Sequence, residues 1–141
     1  MVEQNIEFRI DRIEIINSSI IAPTQQFEVN GFNFELQLQM KLETIQKLIM
    51  VFVDVTVNTQ ESKETIGRYT ACCTFNITNF DEILIKNGQN KHELPKSAIH
   101  TLNNISISTV RGLMFGAFRG TFLHNAILPV VDSTLIQSQQ I

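Results

Sequence analysis

The chain has 141 residues, a formal net charge of −3 and 43% hydrophobic residues. That size fits one domain with a single core, expected to span residues 1–141. The composition excludes disorder, no apolar run approaches the roughly 18 residues of a spanning helix, and the acidic balance argues against nucleic acid as a partner.

The N-terminal segment reads as a strand with a fault. Ile6, Phe8 and Ile10 share one face, while Ile13 and Ile15 fall on the other, so a bulge is expected near Asp11 and Arg12. Pro23 ends that strand, and "TQQFEVNG" connects it to the next. From Phe32 to Glu43 the alternation is complete. Phe32, Phe34, Leu36, Leu38, Met40 and Leu42 are apolar and every residue between them is polar, the pattern of a strand with one buried and one wet face. After the reversal "ETIQK", Ile49, Val51, Val53, Val55 and Val57 alternate against Asp54, Thr56 and Asn58 in a third strand. The polar hairpin "NTQESKE" leads to a fourth, from about Ile66 to Ile77. Its Tyr69, Ala71, Cys73, Phe75 and Ile77 are expected inside, and Arg68, Thr70, Cys72, Thr74 and Asn76 outside.

The remainder changes period. "LPKSAIHTL" suits a short helix with proline at its start, interrupted at Asn103-Asn104. A second, longer helix follows over about 105–119, with Ile107, Val110, Met114, Ala117 and Phe118 on one stripe. "ISISTV" is a poor helix former, so packing must hold this segment. Gly112, Gly116 and Gly120 recur every fourth residue, which reads as close helix approach. A last short helix is expected in "VDSTLIQS", capped by Asp132. Strands followed by helices argue an α+β domain: a four-stranded antiparallel sheet with a long helix packed on one face. A single helix layer leaves the outer side of that helix uncovered, and oligomerisation is the ordinary remedy.

Chemistry is sparse. His92, His100 and His124 have no cysteine or carboxylate at metal-ligand spacing, so no metal site is expected. The only cysteines, Cys72 and Cys73, are adjacent and badly placed for a bond to each other, which excludes a disulfide framework. With Glu3 and no apolar leader in "MVEQNIEFRI", a cytoplasmic location is expected. Cys73 reads as core and Cys72 as a wet-face thiol with nothing to activate it. Carboxylates occur singly, and there is no glycine-rich phosphate loop, so neither enzyme activity nor a cofactor is expected.

Three stretches resemble the SecB export-chaperone family. "FRIDRIEIINSSIIAP" (8–23) is similar to its first strand, and "QFEVNGFNFELQLQM" (26–40) to its crossover loop and the following strand. "FRGTFLHNAILPVVD" (118–132) resembles the end of its long helix. The resemblance implies a dimer of dimers with the helices sandwiched between dimers and the sheets facing outward. It also implies an ATP-independent holdase that binds unfolded or nascent polypeptides in apolar grooves, with protein export as one use. Phe27, Phe32, Met114, Phe115, Phe118 and Phe122 would line or border such a groove, although aromatics at these spacings are more often core. The family hands clients to the SecA motor through carboxylates on the outer sheet face. Here Asn17, Ile21 and Cys73 or Thr74 fall where acidic residues would stand, and the end "QSQQI" has no acidic tail. These departures weigh against SecA as a partner without excluding it. The alternative is a dedicated SecB-like chaperone of one partner, such as an antitoxin.

Overall fold

The computed structural model describes residues 5–23, 31–60, 63–86, 92–131 and 138–140. Four long strands come first: β1 (Phe8–Ile20), β2 (Phe32–Glu43), β3 (Leu48–Thr59) and β4 (Thr65–Ile77). A one-turn helix α1 (Phe80–Ile83) follows, then the two-residue strands β5 (Ile85–Lys86) and β6 (His92–Glu93). The long helix α2 (Lys96–Phe118) and a short strand β7 (Ser138–Gln140) complete the order. The main sheet runs β1-β4-β3-β2-β7, antiparallel except for the parallel pair β2/β7. Expectation and structure therefore agree on a four-stranded antiparallel sheet with a long helix packed on it.

Register explains the core. Ile49, Val51, Val53, Val55 and Val57 of β3 are all 0% exposed, because β3 lies between β2 and β4 and α2 rests on β3 and β4. Burying each such side chain contributes roughly 1.5–3 kcal/mol. On the other face the sheet is wet only toward its margins. Cys72, expected outside, is buried, since it is flanked on one side by Glu14 of β1 and on the other by Phe52 of β3. A central strand lets long neighbours on both sides cover a small residue. Burial pushes both the Cys72 and the Cys73 thiols above their ordinary value.

α2 is one continuous helix of 23 residues, not two. Asn103 does not interrupt it; it lies inside the buried stripe with Leu102, Ser106, Ile107 and Val110. Helix propensity differs by well under about 1 kcal/mol for Asn, and packing overrides it. The serines and threonines are accommodated by donating their hydroxyls back to carbonyls one turn earlier: Thr101 to Ser97, Ser106 to Leu102 and Thr109 to Ile105. Ala117, expected on the stripe, is exposed. Gly112 and Gly116 have open space where a Cβ would stand, so nothing among the described residues makes the close approach their spacing suggests.

The start of β1 is stitched to the β4–α1 corner. The buried Asn79 accepts from the Glu7 N–H and donates to the Asn5 carbonyl, and Thr78 donates to the Glu7 carbonyl. The short helix read in "VDSTLIQS" lies largely outside the described residues, and its last residue, Ser138, begins β7.

Candidate functional site

β1 is the open edge of the sheet and carries the first apolar surface. The bulge expected near Asp11 is present: Ile10 pairs with Phe75 and Arg12 with Thr74, leaving Asp11 unopposed. A second irregularity, which the sequence pattern did not reveal, leaves Ile16 unopposed between Ile15 and Asn17. Each extra residue reverses the alternation once. Ile10, Ile13, Ile15 and Ile20 consequently all stand opposite inner-face residues of β4, namely Phe75, Cys73, Ala71 and Gly67. They face the helix side of the sheet but remain 49%, 44%, 55% and 42% exposed. Ile16 and Ile21 beside them are exposed as well. The opposite face of the strand is polar, with Arg12 lying 3.4 Å from Glu14 and 3.8 Å from Asp11. Both pairs are largely exposed and contribute little stability.

The second surface forms where α2 ends. Arg119 is extended and Gly120 takes φ +78°, a conformation open to glycine, so the chain reverses. Thr121 is the pivot. Its N–H and hydroxyl both donate to the Phe118 carbonyl, and its hydroxyl accepts from the Leu123 N–H. Leu123, Ala126 and Leu128 then insert into the core. The seat for Leu123 exists because position 67 is glycine; a Cβ there would lie 2.7 Å from Leu123 Cδ1. Arg111 clamps the returning segment, donating from Nε to the Leu128 carbonyl at 2.7 Å and from Nη2 to that of Pro129 at 2.9 Å. The segment leaves Phe122, Ile127 and Val130 outside, interleaved with exposed His124, Asn125 and Pro129, and Phe115 is exposed on the helix. The Phe115 ring lies 6.1 Å from that of His124.

The residues read from sequence as groove residues divide by this geometry. Phe115 and Phe122 are 47% and 38% exposed, and Phe32 is half-buried at the start of β2. Met114 and Phe118 are core, at 0% and 1%; the Phe118 ring packs edge-on against Tyr69 at 6.2 Å, and burial raises the tyrosine pKa. They belong to the core and offer no surface in the protomer. Phe27 lies outside the described residues. The sequence does not mark the isoleucines of β1 as a surface, because alternation assigns faces, not covers.

A cleft of about 240 Å³ opens between the start of β1 and the first turns of α2, lined by Asn5, Ile6, Phe8, Ser97, Ala98 and Thr101. None of these six side chains is titratable. Among the described residues no group of three or more His, Cys, Asp or Glu clusters at metal-binding range, and no helix is long and apolar enough to cross a membrane.

No family model and no curated protein matches the sequence. Solved structures do. The fold is similar to the SecB-like chaperone Rv1957 of Mycobacterium tuberculosis, solved in complex with a ChAD peptide from the HigA1 antitoxin Rv1956. The TM-score is 0.54 at 8% identity, covering 88% of this chain and 84% of that one. A protein of unknown function from Streptococcus agalactiae is also similar, with TM-score 0.47 and 13% identity over 82% of this chain and 90% of that one. At these identities the likeness is one of fold, and the fold is SecB-like.

Proposed function

We propose that this protein is an ATP-independent chaperone that holds unfolded or nascent polypeptides, working without cofactor or catalysis in the cytoplasm. The observation that carries the reading is the exposed apolar surface. The isoleucines Ile10, Ile13, Ile15 and Ile20 of β1 lie on one side of the protomer's sheet, and Phe115, Phe122, Ile127 and Val130 stand exposed at the end of α2 and in the segment after it. Large apolar side chains backed by polar rows on the same elements suit a polypeptide partner. A SecB-like fold supports the reading. Assembly as a homotetramer, a dimer of dimers, would cover part of this surface and leave the rest to clients. Phe32, Phe115 and Phe122 are proposed to touch client, with Met114 and Phe118 holding them from the core. SecA is not needed: the outer sheet face mixes Arg9, Arg12, Lys41 and Arg68 with Glu14, Glu35 and Asp54, and is not an acidic surface.

The test is titration with fluorescently labelled, reduced and carboxymethylated α-lactalbumin, which stays unfolded, beside native α-lactalbumin. Binding of the unfolded form alone is expected. The double variant Phe115→Ser/Phe122→Ser should weaken it by roughly tenfold or more while circular dichroism stays unchanged, since each buried aromatic contributes on the order of 1–3 kcal/mol. Unchanged affinity would remove these two residues from the site. A second reading is a dedicated chaperone of one partner, favoured by the antitoxin peptide bound to Rv1957. Failure to bind any of several unrelated unfolded chains, with tight binding of one specific partner, would select it.

A further inference from the structure

The charge of this chain is unevenly placed. All but Asp132 of its 14 acidic residues stand before Pro95. From Pro95 to Val131, which takes in α2 and the returning segment, there is no Asp or Glu, while Lys96, Arg111 and Arg119 are present. The excess of negative charge therefore lies in the sheet portion, and the helix with its return is positive. Two of these cations frame the exposed Phe115. Arg111 and Arg119 stand four residues before and four after it, one helical turn away on either side along the same face. Among the described residues neither takes part in an ion pair. Arg119 is exposed. Arg111 is held in place: Nε and Nη2 donate to the Leu128 and Pro129 carbonyls, neutral acceptors that fix the guanidinium and leave its charge unmatched. Its Nη1 reaches Ser108 Oγ only at 3.5 Å. A guanidinium already ordered loses little rotamer freedom on meeting a carboxylate. There is also room around Phe115. Gly112 and Gly116 have open space where a Cβ would stand, the His124 ring lies 6.1 Å away, and Phe122 is exposed just after the turn.

We propose that this end of α2 selects its partner by charge, and that the partner is an unfolded segment carrying carboxylates among large apolar residues. Apolar side chains settle against Phe115 and Phe122, and carboxylates meet Arg111 and Arg119. The inference rests on the chaperone reading and names the class of client within it. A second copy related by a two-fold axis through this face would set the same cations against each other, which disfavours self-association there. Nucleic acid is disfavoured because two arginines around a phenylalanine fall far short of the extended basic surface it needs. A segment both acidic and apolar matches the two parts of the surface at once.

The test uses the full chain and short fluorescein-labelled peptides with identical Leu and Phe positions. Their remaining positions are Ser with Glu, Ser with Lys, or Ser alone. In fluorescence anisotropy at low ionic strength the glutamate peptide is expected to bind at least about tenfold more tightly than the lysine peptide, with the serine peptide between them. Near about 0.5 M salt the difference should shrink severalfold, because charges at an exposed site are screened. Arg119→Glu breaks no ion pair among the described residues, so its circular dichroism should be unchanged. It should bring the glutamate and lysine peptides within about twofold of each other, whereas Arg119→Lys keeps the preference. A loss of packing alone would weaken all the peptides equally. Equal affinity of the unaltered chain for the glutamate and lysine peptides, or a preference for lysine, would overturn the proposal. So would a single-stranded RNA oligomer that binds more tightly than the glutamate peptide. An Arg119→Glu chain that changes its mass in light scattering but keeps its peptide preference would overturn it too, and make the face a contact between copies. Reduced, carboxymethylated α-lactalbumin separates this inference from the reading beneath it. If it binds while the peptides are not discriminated, only the charge selection falls; if neither it nor any peptide binds, the chaperone reading fails and this inference with it.

Discussion

β3 and β1 carry comparable aliphatic rows on the same side of the sheet, yet they end in opposite environments. The β3 row is sealed at 0% exposure along its length, whereas Ile10, Ile13, Ile15 and Ile20 of β1 stand 42–55% exposed. Composition does not separate them, since isoleucine is at least as apolar as valine. Position does. β3 lies in the middle of the sheet under α2, and β1 is its outermost strand. One bulge at Asp11 and another at Ile16 keep the β1 isoleucines aligned on the inner side, where a regular strand would have sent half of them outward. An aliphatic row held in line yet left uncovered at a sheet edge is exposed apolar surface, while the two bulges and the charges of Asp11, Arg12 and Glu14 blunt the edge's backbone.

The contrast can be broken deliberately. Val53→Asp places an unpaired carboxylate in the sealed row and is expected to prevent folding, read as loss of the far-ultraviolet circular dichroism signal. Ile13→Asp, made in the uncovered row, should leave that signal intact and instead lower the mass of the assembly in light scattering. Should Ile13→Asp also unfold the isolated chain, β1 would be core and the contrast false. Gly67→Ala tests how closely the returning segment is seated on the sealed side. The new Cβ would drive Leu123 from its place, at an expected cost of about 1–3 kcal/mol in chemical denaturation. Arg111→Ala frees the carbonyls of Leu128 and Pro129 and should cost about 1–2 kcal/mol, with faster amide exchange confined to 121–131. The smallest effect is a pH dependence. Burial raises the Cys72 and Cys73 pKa values above the ordinary 9.0, so the folded state keeps both thiols protonated where the unfolded state would ionise them. Their contribution is fully present below that value and is lost as pH rises through the folded-state values. The urea midpoint should therefore fall above about pH 9, less steeply in Cys73→Ala.

Much of the fold was legible because strand alternation is a local signal. All four long strands, the first bulge and the inward set of β3 can be read from side-chain order alone. The second bulge could not be. Ile15, Ile16 and Asn17 give no break in pattern, since Ile15 and Ile16 are both apolar and either can face inward. Asn103-Asn104 reads as an interruption that splits the long helix in two, while what holds it together is tertiary: Asn103 is buried with Leu102 and Ser106 on the stripe that meets the sheet. Alternation sends Cys72 outward for a related reason, because its cover comes from Glu14 and Phe52 on neighbouring strands. Of the five groove residues among the described residues, Phe115 and Phe122 reach the surface strongly. Periodicity cannot distinguish a helix stripe that meets the sheet from one that meets a partner. The parallel strand β7 had no sequence signal at all; three polar residues become a strand because β2 offers them an edge.

The most direct measurement is the mass of the purified chain by light scattering, alone and with an excess of reduced, carboxymethylated α-lactalbumin. With the β1 row and the α2 turn covered by further copies and by client, the chain alone should show roughly four times its monomer mass and gain further mass with the unfolded probe but not with native α-lactalbumin. A monomer that takes up neither form would contradict it, and would mean that these apolar surfaces face water unaided.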